Sequence, residues 1–172
     1  MRRAGQGDGD AQALLYQQYS KAMYNICIRM TGTRNDAEDL LHDAFLKAFK
    51  KLDQLKQPEA FGGWLRQIVV NECIRHSRFH VNWNNWEDHH EETLADEATE
   101  WWTTVSLDLV HREIKELPEG CRQVFVLFVL EDYSHRQIAE NLGISEGTSK
   151  SQYHRARTML KDRINKKMAV NG

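Results

Sequence analysis

The chain has 172 residues, enough for one ordinary domain or two small ones. Hydrophobic residues make up 41% of it and it contains only two prolines, which argues against disorder and permits long helices. No apolar run is long enough to span a membrane, the first residues lack the apolar core of a signal peptide, and the three scattered cysteines make a poor disulfide framework. We therefore expect a soluble, cytoplasmic protein.

Charge is distributed unevenly along the chain. Residues 1–80 hold 12 Lys and Arg against 9 Asp and Glu, and residues 121–172 hold 9 against 5. Residues 81–120 hold only 2 against 11. Basic ends can meet nucleic acid, whereas an acidic middle is repelled by phosphate and suits a basic channel. A solvated linker without a partner explains the acidic middle about as well.

The N-terminal part shows the periodicity of three helices. Apolar residues recur at helical spacing from residue 10 to about residue 30, and Gly32 ends the pattern. Asn35 and Glu38 have the spacing of a capping box that opens a second helix. A third helix is predicted from about residue 60 to residue 79.

The segment 81–104 lacks sustained periodicity and predicts an acidic, flexible linker. It contains several tryptophans, which either anchor to a partner groove or fold back onto the domains, and folding back is the favoured interpretation. They are Trp83, Trp86, Trp101 and Trp102.

The C-terminal part predicts two further helices, over residues 107–117 and 121–130, and then a helix-turn-helix. The first helix of that motif covers residues 135–142. Gly143 suits a left-handed turn and Ser145 suits the N-cap of the second helix, which runs from residue 146 to about residue 164.

The second helix of the motif has two faces. One is expected to face the core and consists of Ser149, Tyr153, Ala156, Leu160 and Ile164. The other is polar and basic and consists of Lys150, Ser151, Gln152, His154, Arg155, Arg157 and Lys161. Arginine pairs with guanine, glutamine with adenine and lysine with phosphate, so DNA contact is favoured over a merely solvated basic face.

Two blocks of the sequence resemble the sigma-70 family of RNA polymerase sigma factors. Residues 37–45, followed by Trp64-Leu65 and Asn71, resemble its second conserved region. Residues 138–145 and 147–157 resemble its fourth region. The lack of a third domain between them resembles the extracytoplasmic-function (ECF) group.

The resemblance implies an all-α fold of two small helical domains joined by an acidic linker. Residues 1–80 would form the region 2-like domain, residues 81–104 the linker and residues 105–172 the region 4-like domain. The implied function is to bind core polymerase and direct promoter-specific initiation. Catalysis would reside in the polymerase, so the chain is not expected to be an enzyme or to carry a cofactor.

The resemblance also implies site residues by position. The polymerase-binding residues would be Asp39, His42 and Asp43. The residues that capture the minus-ten element, partly by stacking on unpaired bases, would be Glu59, Ala60, Phe61, Trp64, Asn71, Arg75 and Arg78. The residues that read the minus-thirty-five element would be Lys150, Ser151, His154, Arg155 and Arg157.

The implied partners are core RNA polymerase, through the clamp helices of its largest subunit and its flap, promoter DNA and an anti-sigma factor. No membrane insertion is expected. The chain departs from the family pattern in that His42 stands where glutamine is usual and Ser149 where an aliphatic residue is common.

Two alternatives remain at this point. A helix-turn-helix regulator that is not a polymerase subunit would explain the C-terminal motif but not residues 37–71. The second alternative is a zinc site. Cys73, His76 and His80 fall near one helical face, with His89-His90 nearby, and Cys and His are ligands that zinc prefers. No second compact ligand pair accompanies them, so no metal is expected.

Overall fold

The computed structural model describes residues 1–81, 83 and 105–170, and in these residues every regular element is a helix. The chain divides into two compact units, Met1–His76 and Ser77–Gly172. The all-α architecture of two small helical domains is confirmed.

The first unit is built from four α-helices. Two short 3-10 turns, Leu52–Gln54 and Pro58–Ala60, connect the third helix to the fourth. The helices are α1 (Arg2–Gly5), α2 (Gly9–Thr31), α3 (Arg34–Lys50) and α4 (Phe61–His80), whose last residues belong to the second unit.

Local side chains set the ends of these helices. The carboxylate of Asp8 accepts from the backbone N–H of Ala11 at 3.0 Å and opens α2, and Gly32 closes it with φ 76°. The predicted capping box at residues 35 and 38 was wrong. Thr33, which is extended and directly follows Gly32, is the N-cap of α3, and its hydroxyl accepts from the N–H of Asp36 at 3.3 Å.

The core of the first unit lies where α3 and α4 bury the apolar stripes expected of them. Phe45 and Leu65 are fully enclosed, and Val69 has no exposed surface. The aromatic ring of Tyr16 on α2 lies 4.6 Å from that of Phe45, so α2 closes the other side of this core.

In its described residues the second unit contains four further α-helices. A turn with π-helical hydrogen bonding, Val126–Leu130, continues the second of them. The helices are α5 (Leu107–Lys115), α6 (Glu119–Phe125), α7 (His135–Leu142) and α8 (Glu146–Val170).

The turn between α5 and α6 is closed by a buried arginine. The guanidinium of Arg122, which is 7% exposed, donates to the carbonyl of Leu117 at 3.0 Å and to that of Lys115 at 3.2 Å. These carbonyls lie at the last residue of α5 and two residues beyond it, ahead of Pro118, where the helix itself supplies no further N–H donors. Arg122 therefore fixes the direction in which the chain enters α6.

Trp83 packs on the second unit. A Cβ atom built on Gly120 would lie 3.1 Å from Cζ3 of its indole, so the ring rests directly on the backbone at the start of α6. This agrees with the fold-back interpretation for Trp83. The other three tryptophans, Trp86, Trp101 and Trp102, lie outside the described residues.

Candidate nucleic-acid interface

The helix-turn-helix is formed by α7, α8 and the turn between them. Ser134 and Gln137 make a reciprocal capping box at the start of α7. Gly143 adopts φ 72°, and the N–H of Thr148 donates to the hydroxyl of Ser145 at 2.9 Å. The left-handed glycine and the serine N-cap are both confirmed, because each answers a local backbone requirement.

The outward face of α8 carries most of the residues predicted to read DNA. Lys150, His154 and Arg155 are exposed, whereas Ser151 and Arg157 are half-buried. The hydroxyl of Ser151 donates to the carbonyl of Thr148 at 3.0 Å. Three cationic or hydrogen-bonding side chains are thus exposed on the N-terminal half of α8.

The inward face of α8 contains the five residues predicted for it and, in addition, Gln152. Ser149, Ala156, Leu160 and Ile164 are buried and Tyr153 is half-buried.

The assignment of Gln152 to the DNA-facing side was wrong. This residue is 3% exposed, and its carbonyl oxygen accepts from the thiol of Cys121 on α6 at 3.0 Å. A side chain held in this way has no path to a base edge.

A histidine joins the two helices of the motif. Nδ1 of His135 lies 2.9 Å from Oγ of Ser149, and its ring stacks on Phe128 at a centroid distance of 4.3 Å and an angle of 13°. Burial lowers the pKa of His135, and the positive charge of Lys150 lowers it further. The neutral imidazole is therefore the favoured form in the folded protein.

The candidate minus-ten residues lie around the start of α4 and along it. Trp64 is half-buried, and the amide nitrogen of Gln67 donates to the side-chain oxygen of Asn71 at 3.2 Å. The exposed members of the set are Glu59, Ala60, Asn71, Arg75 and Arg78.

The structure revises the role of Phe61. It is fully buried, and its ring meets that of Tyr19 edge-on at 5.1 Å and that of Trp64 at 6.1 Å. A ring enclosed by the core offers no face for stacking on a base. Phe61 therefore packs against Tyr19 and Trp64 within the core.

A buried carboxylate holds Arg75 in place. Glu72 is 8% exposed, accepts from the ammonium of Lys47 at 2.5 Å and pairs with the guanidinium of Arg75. Glu72 was not among the residues predicted for this surface. The spacing of Glu72 and Arg75 on one helix was the only local signal for it.

The candidate polymerase-binding residues form one exposed stripe of α3. Asp39, His42 and Asp43 are all exposed. Leu46 follows at the spacing of the same face and is 44% exposed, so the stripe also carries an apolar side chain, which was not among the residues predicted for it.

The three residues considered as metal ligands are not brought together. Cys73 is buried in the core, His76 lies 3.9 Å from the carboxylate of Asp36, and His80 is exposed. Among the described residues no group of three His, Cys, Asp or Glu side chains is arranged to hold a metal ion. His89 and His90 lie outside the described residues. No helix in the described ranges is long and apolar enough to cross a membrane.

Comparison with known families gives two matches, and they follow each other along the chain in the same order as the two units. Residues 15–81 match the family model described as Sigma-70 region 2. Residues 107–160 match the one described as Sigma-70, region 4. Together the matches cover both units and define a sigma-70 protein with regions 2 and 4.

Full-length relatives refine this class. The chain is 31% identical over 157 residues to the ECF RNA polymerase sigma factor SigM of Mycobacterium tuberculosis, covering 90% of this chain and 77% of that protein. It is 29% identical over 176 residues to SigW of Bacillus subtilis, covering 95% and 94%. The solved structure of the sigma factor RpoE of Bartonella quintana, in complex with the anti-sigma factor NepR, shares the fold with a TM-score of 0.51, 22% identity and coverage of 89% of this chain and 96% of that one.

The chain belongs to the ECF group of RNA polymerase sigma factors, which direct promoter-specific transcription initiation. Sigma factors are in general regulatory subunits without enzymatic activity of their own.

Proposed function

We propose that this sigma factor grips a promoter at two places while it is bound to core RNA polymerase. The first unit would capture unpaired bases of the minus-ten element, and α8 would read the minus-thirty-five element. The observation that carries the proposal is the outward projection of Lys150, His154 and Arg155 from a helix-turn-helix whose caps and turn are locally complete.

The composition of the α8 surface supports the upstream contact. Arg155 and His154 can donate to base edges in a major groove, and Lys150 can neutralise phosphate. Ser151 and Arg157, which are half-buried, would flank this contact. Gln152 takes no part, because its side chain is committed to Cys121.

The arrangement of α4 supports the downstream contact. Trp64 would stack on an unpaired base and Asn71 would bond to its edge, with Phe61 behind the tryptophan. Arg75 and Arg78 would hold adjacent phosphates, and Glu59 and Ala60 would form the entrance to the same surface.

The exposed stripe of α3 would bind the clamp helices of the polymerase largest subunit. Asp39 and Asp43 supply negative charge, His42 supplies a hydrogen-bonding group, and Leu46 supplies an apolar centre. The second unit would contact the polymerase flap. An anti-sigma factor that covered the α3 stripe and the flap-binding surface of the second unit would prevent the protein from binding core polymerase.

Catalysis would take place in the polymerase alone, and the protein would act in the cytoplasm beside it. We include residues 81–104 as the acidic linker between domains 1–80 and 105–172. Its seven carboxylates, with no Lys or Arg, suit a positively charged channel better than DNA.

In vitro transcription tests the proposal. Core polymerase with and without the purified protein is supplied with a library of genomic promoter fragments, and transcript starts are mapped. Starts that appear at one promoter class only when the protein is present support the proposal. Absence of any such starts contradicts it, and promoter binding by the protein alone would instead favour a helix-turn-helix regulator.

A further inference from the structure

The buried face of α8 contains two polar residues in an otherwise largely apolar stripe. Ser149 has no exposed surface, and Gln152 is 3% exposed. Each is bound by a side chain from a different element: Ser149 by His135 at the start of α7, and Gln152 by Cys121 on α6. Both hydrogen bonds meet the same half of α8 that carries Lys150, His154 and Arg155.

Apolar contacts alone would leave the rotation of α8 about its own axis less tightly restrained. The contacts of Ala156, Leu160 and Ile164 depend mainly on proximity, so a small rotation of the helix about its axis changes them little. A hydrogen bond depends on both distance and direction. Because a buried polar group that loses its partner is costly, two such bonds resist rotation of the helix.

The two partners are themselves held in place. The imidazole of His135 stacks on Phe128, whose ring centroid is 4.3 Å away, and also contacts the ring of Tyr153 on α8 itself at 5.6 Å. Cys121 has no exposed surface, and burial raises the pKa of its thiol to about 11, so it remains a protonated donor. Phe128 restrains His135, and complete burial on α6 restrains Cys121, and neither of these restraints belongs to α8.

We propose that His135 and Cys121 are positioning residues that fix the rotation of α8 and thereby set where Lys150, His154 and Arg155 meet the upstream promoter element. The inference rests on the proposed function, because it assumes that α8 reads that element. It assigns a role to two residues that do not themselves face DNA, and it accounts for a serine at position 149.

Matched variants separate the hydrogen bonds from the packing. His135→Phe keeps a ring against Phe128 but removes the bond to Ser149, whereas His135→Asn keeps a polar nitrogen near the position of Nδ1. Cys121→Ala removes the donor to Gln152, and Cys121→Ser restores one. Ser149→Ala removes the same bond as His135→Phe without disturbing the aromatic stack.

The readout is transcription by the reconstituted holoenzyme from two templates, one with an intact upstream element and one with that element replaced. We expect His135→Phe, Ser149→Ala and Cys121→Ala to lower the ratio of intact to replaced template by about three- to tenfold, as the loss of one buried hydrogen bond would. His135→Asn and Cys121→Ser should stay near the wild-type ratio. Transcription from the replaced template should not change.

Equal loss on both templates, or an unchanged ratio for His135→Phe and Ser149→Ala, would overturn the positioning role. A wild-type protein that ignores the upstream element would contradict the proposed function instead. Backbone amide exchange of residues 149–156 in the free protein then decides the positioning role independently. We expect faster exchange in His135→Phe than in His135→Asn, and equal exchange in the two variants would overturn it.

Discussion

The ammonium of Lys47, near the end of α3, lies 2.5 Å from a carboxylate oxygen of Glu72 on α4. The same oxygen pairs with Arg75, one turn further along α4. A single buried carboxylate thus joins two helices of the first unit and orients an arginine at the candidate minus-ten surface.

Glu72→Gln should destabilise the first unit. Hydrogen bonds to charged groups are worth more than neutral ones, so we expect the free energy of unfolding to fall by about 2 kcal/mol. Urea denaturation followed by circular dichroism measures the change. Glu38→Gln is the matched control, because the pair of Glu38 with Arg34 is exposed and should contribute far less than the buried pairs of Glu72. Equal losses in the two variants would contradict a structural role for Glu72.

A second buried carboxylate, Glu113 on α5, is 2% exposed and pairs with Arg163 and Lys167 on α8. Removing one cation leaves the other, whereas removing both leaves an unpaired buried charge. We expect Lys167→Ala to lower the free energy of unfolding by about 1 kcal/mol, and the double variant with Arg163→Ala to lower it by about 3 kcal/mol or more.

Thermal unfolding of the second unit measures both effects. Lys166→Ala, a change at the neighbouring exposed lysine, is the control and should leave the melting temperature unchanged. If the double variant were as stable as Lys167→Ala, the two cations would not be needed to stabilise the buried carboxylate of Glu113.

The histidine of the helix-turn-helix predicts a pH dependence of stability. The pKa of His135 is lowered in the folded protein, chiefly by burial and further by Lys150, while Glu146 opposes the shift. As pH falls below the ordinary histidine pKa of about 6.5, the unfolded chain takes up a proton before the folded one does. The stability that His135 contributes is therefore complete above that pH and is lost below it.

Urea unfolding of the wild type and of His135→Asn between pH 7.5 and pH 5.5 isolates this contribution from those of the other histidines. The wild type should lose more stability than the variant over this range. Parallel pH profiles would contradict the assignment.

Arg155→Ala tests the reading surface of α8. If Arg155 contacts a base, holoenzyme use of a promoter with an intact upstream element should weaken by about 1–3 kcal/mol. The measurement is competitive transcription between two promoters that differ at one upstream position. Lys166→Ala, near the other end of α8, should not change the preference. Unchanged selectivity in Arg155→Ala would remove this residue from the reading surface.

The sequence was sufficient for features that depend on local backbone requirements. Gly143 and Ser145 could be assigned because a left-handed turn and an N-cap each favour few residue types. The apolar stripe of α3 was predictable for a similar reason, since its spacing matches the helical period.

Features that depend on distant packing could not be predicted in this way. Gln152 lies beside the apolar stripe of α8, and its buried hydrogen-bond partner Cys121 lies 31 residues earlier in the chain. The burial of Phe61 depends on Tyr19 of α2, and the pairing of Glu113 depends on residues near the end of α8. In each case the deciding partner is far away in the chain, so no local pattern reveals it.

On the proposed function, the protein contacts its two promoter elements only as part of the polymerase. Footprinting of one promoter tests it most directly, with nuclease protection of the minus-thirty-five element and chemical reactivity of unpaired thymines at the minus-ten element read on the same DNA. We predict protection and reactivity together when core polymerase and the protein are both present, and neither with the protein alone. Protection of the duplex by the protein alone, unchanged by core polymerase and without unpaired thymines, would contradict the account.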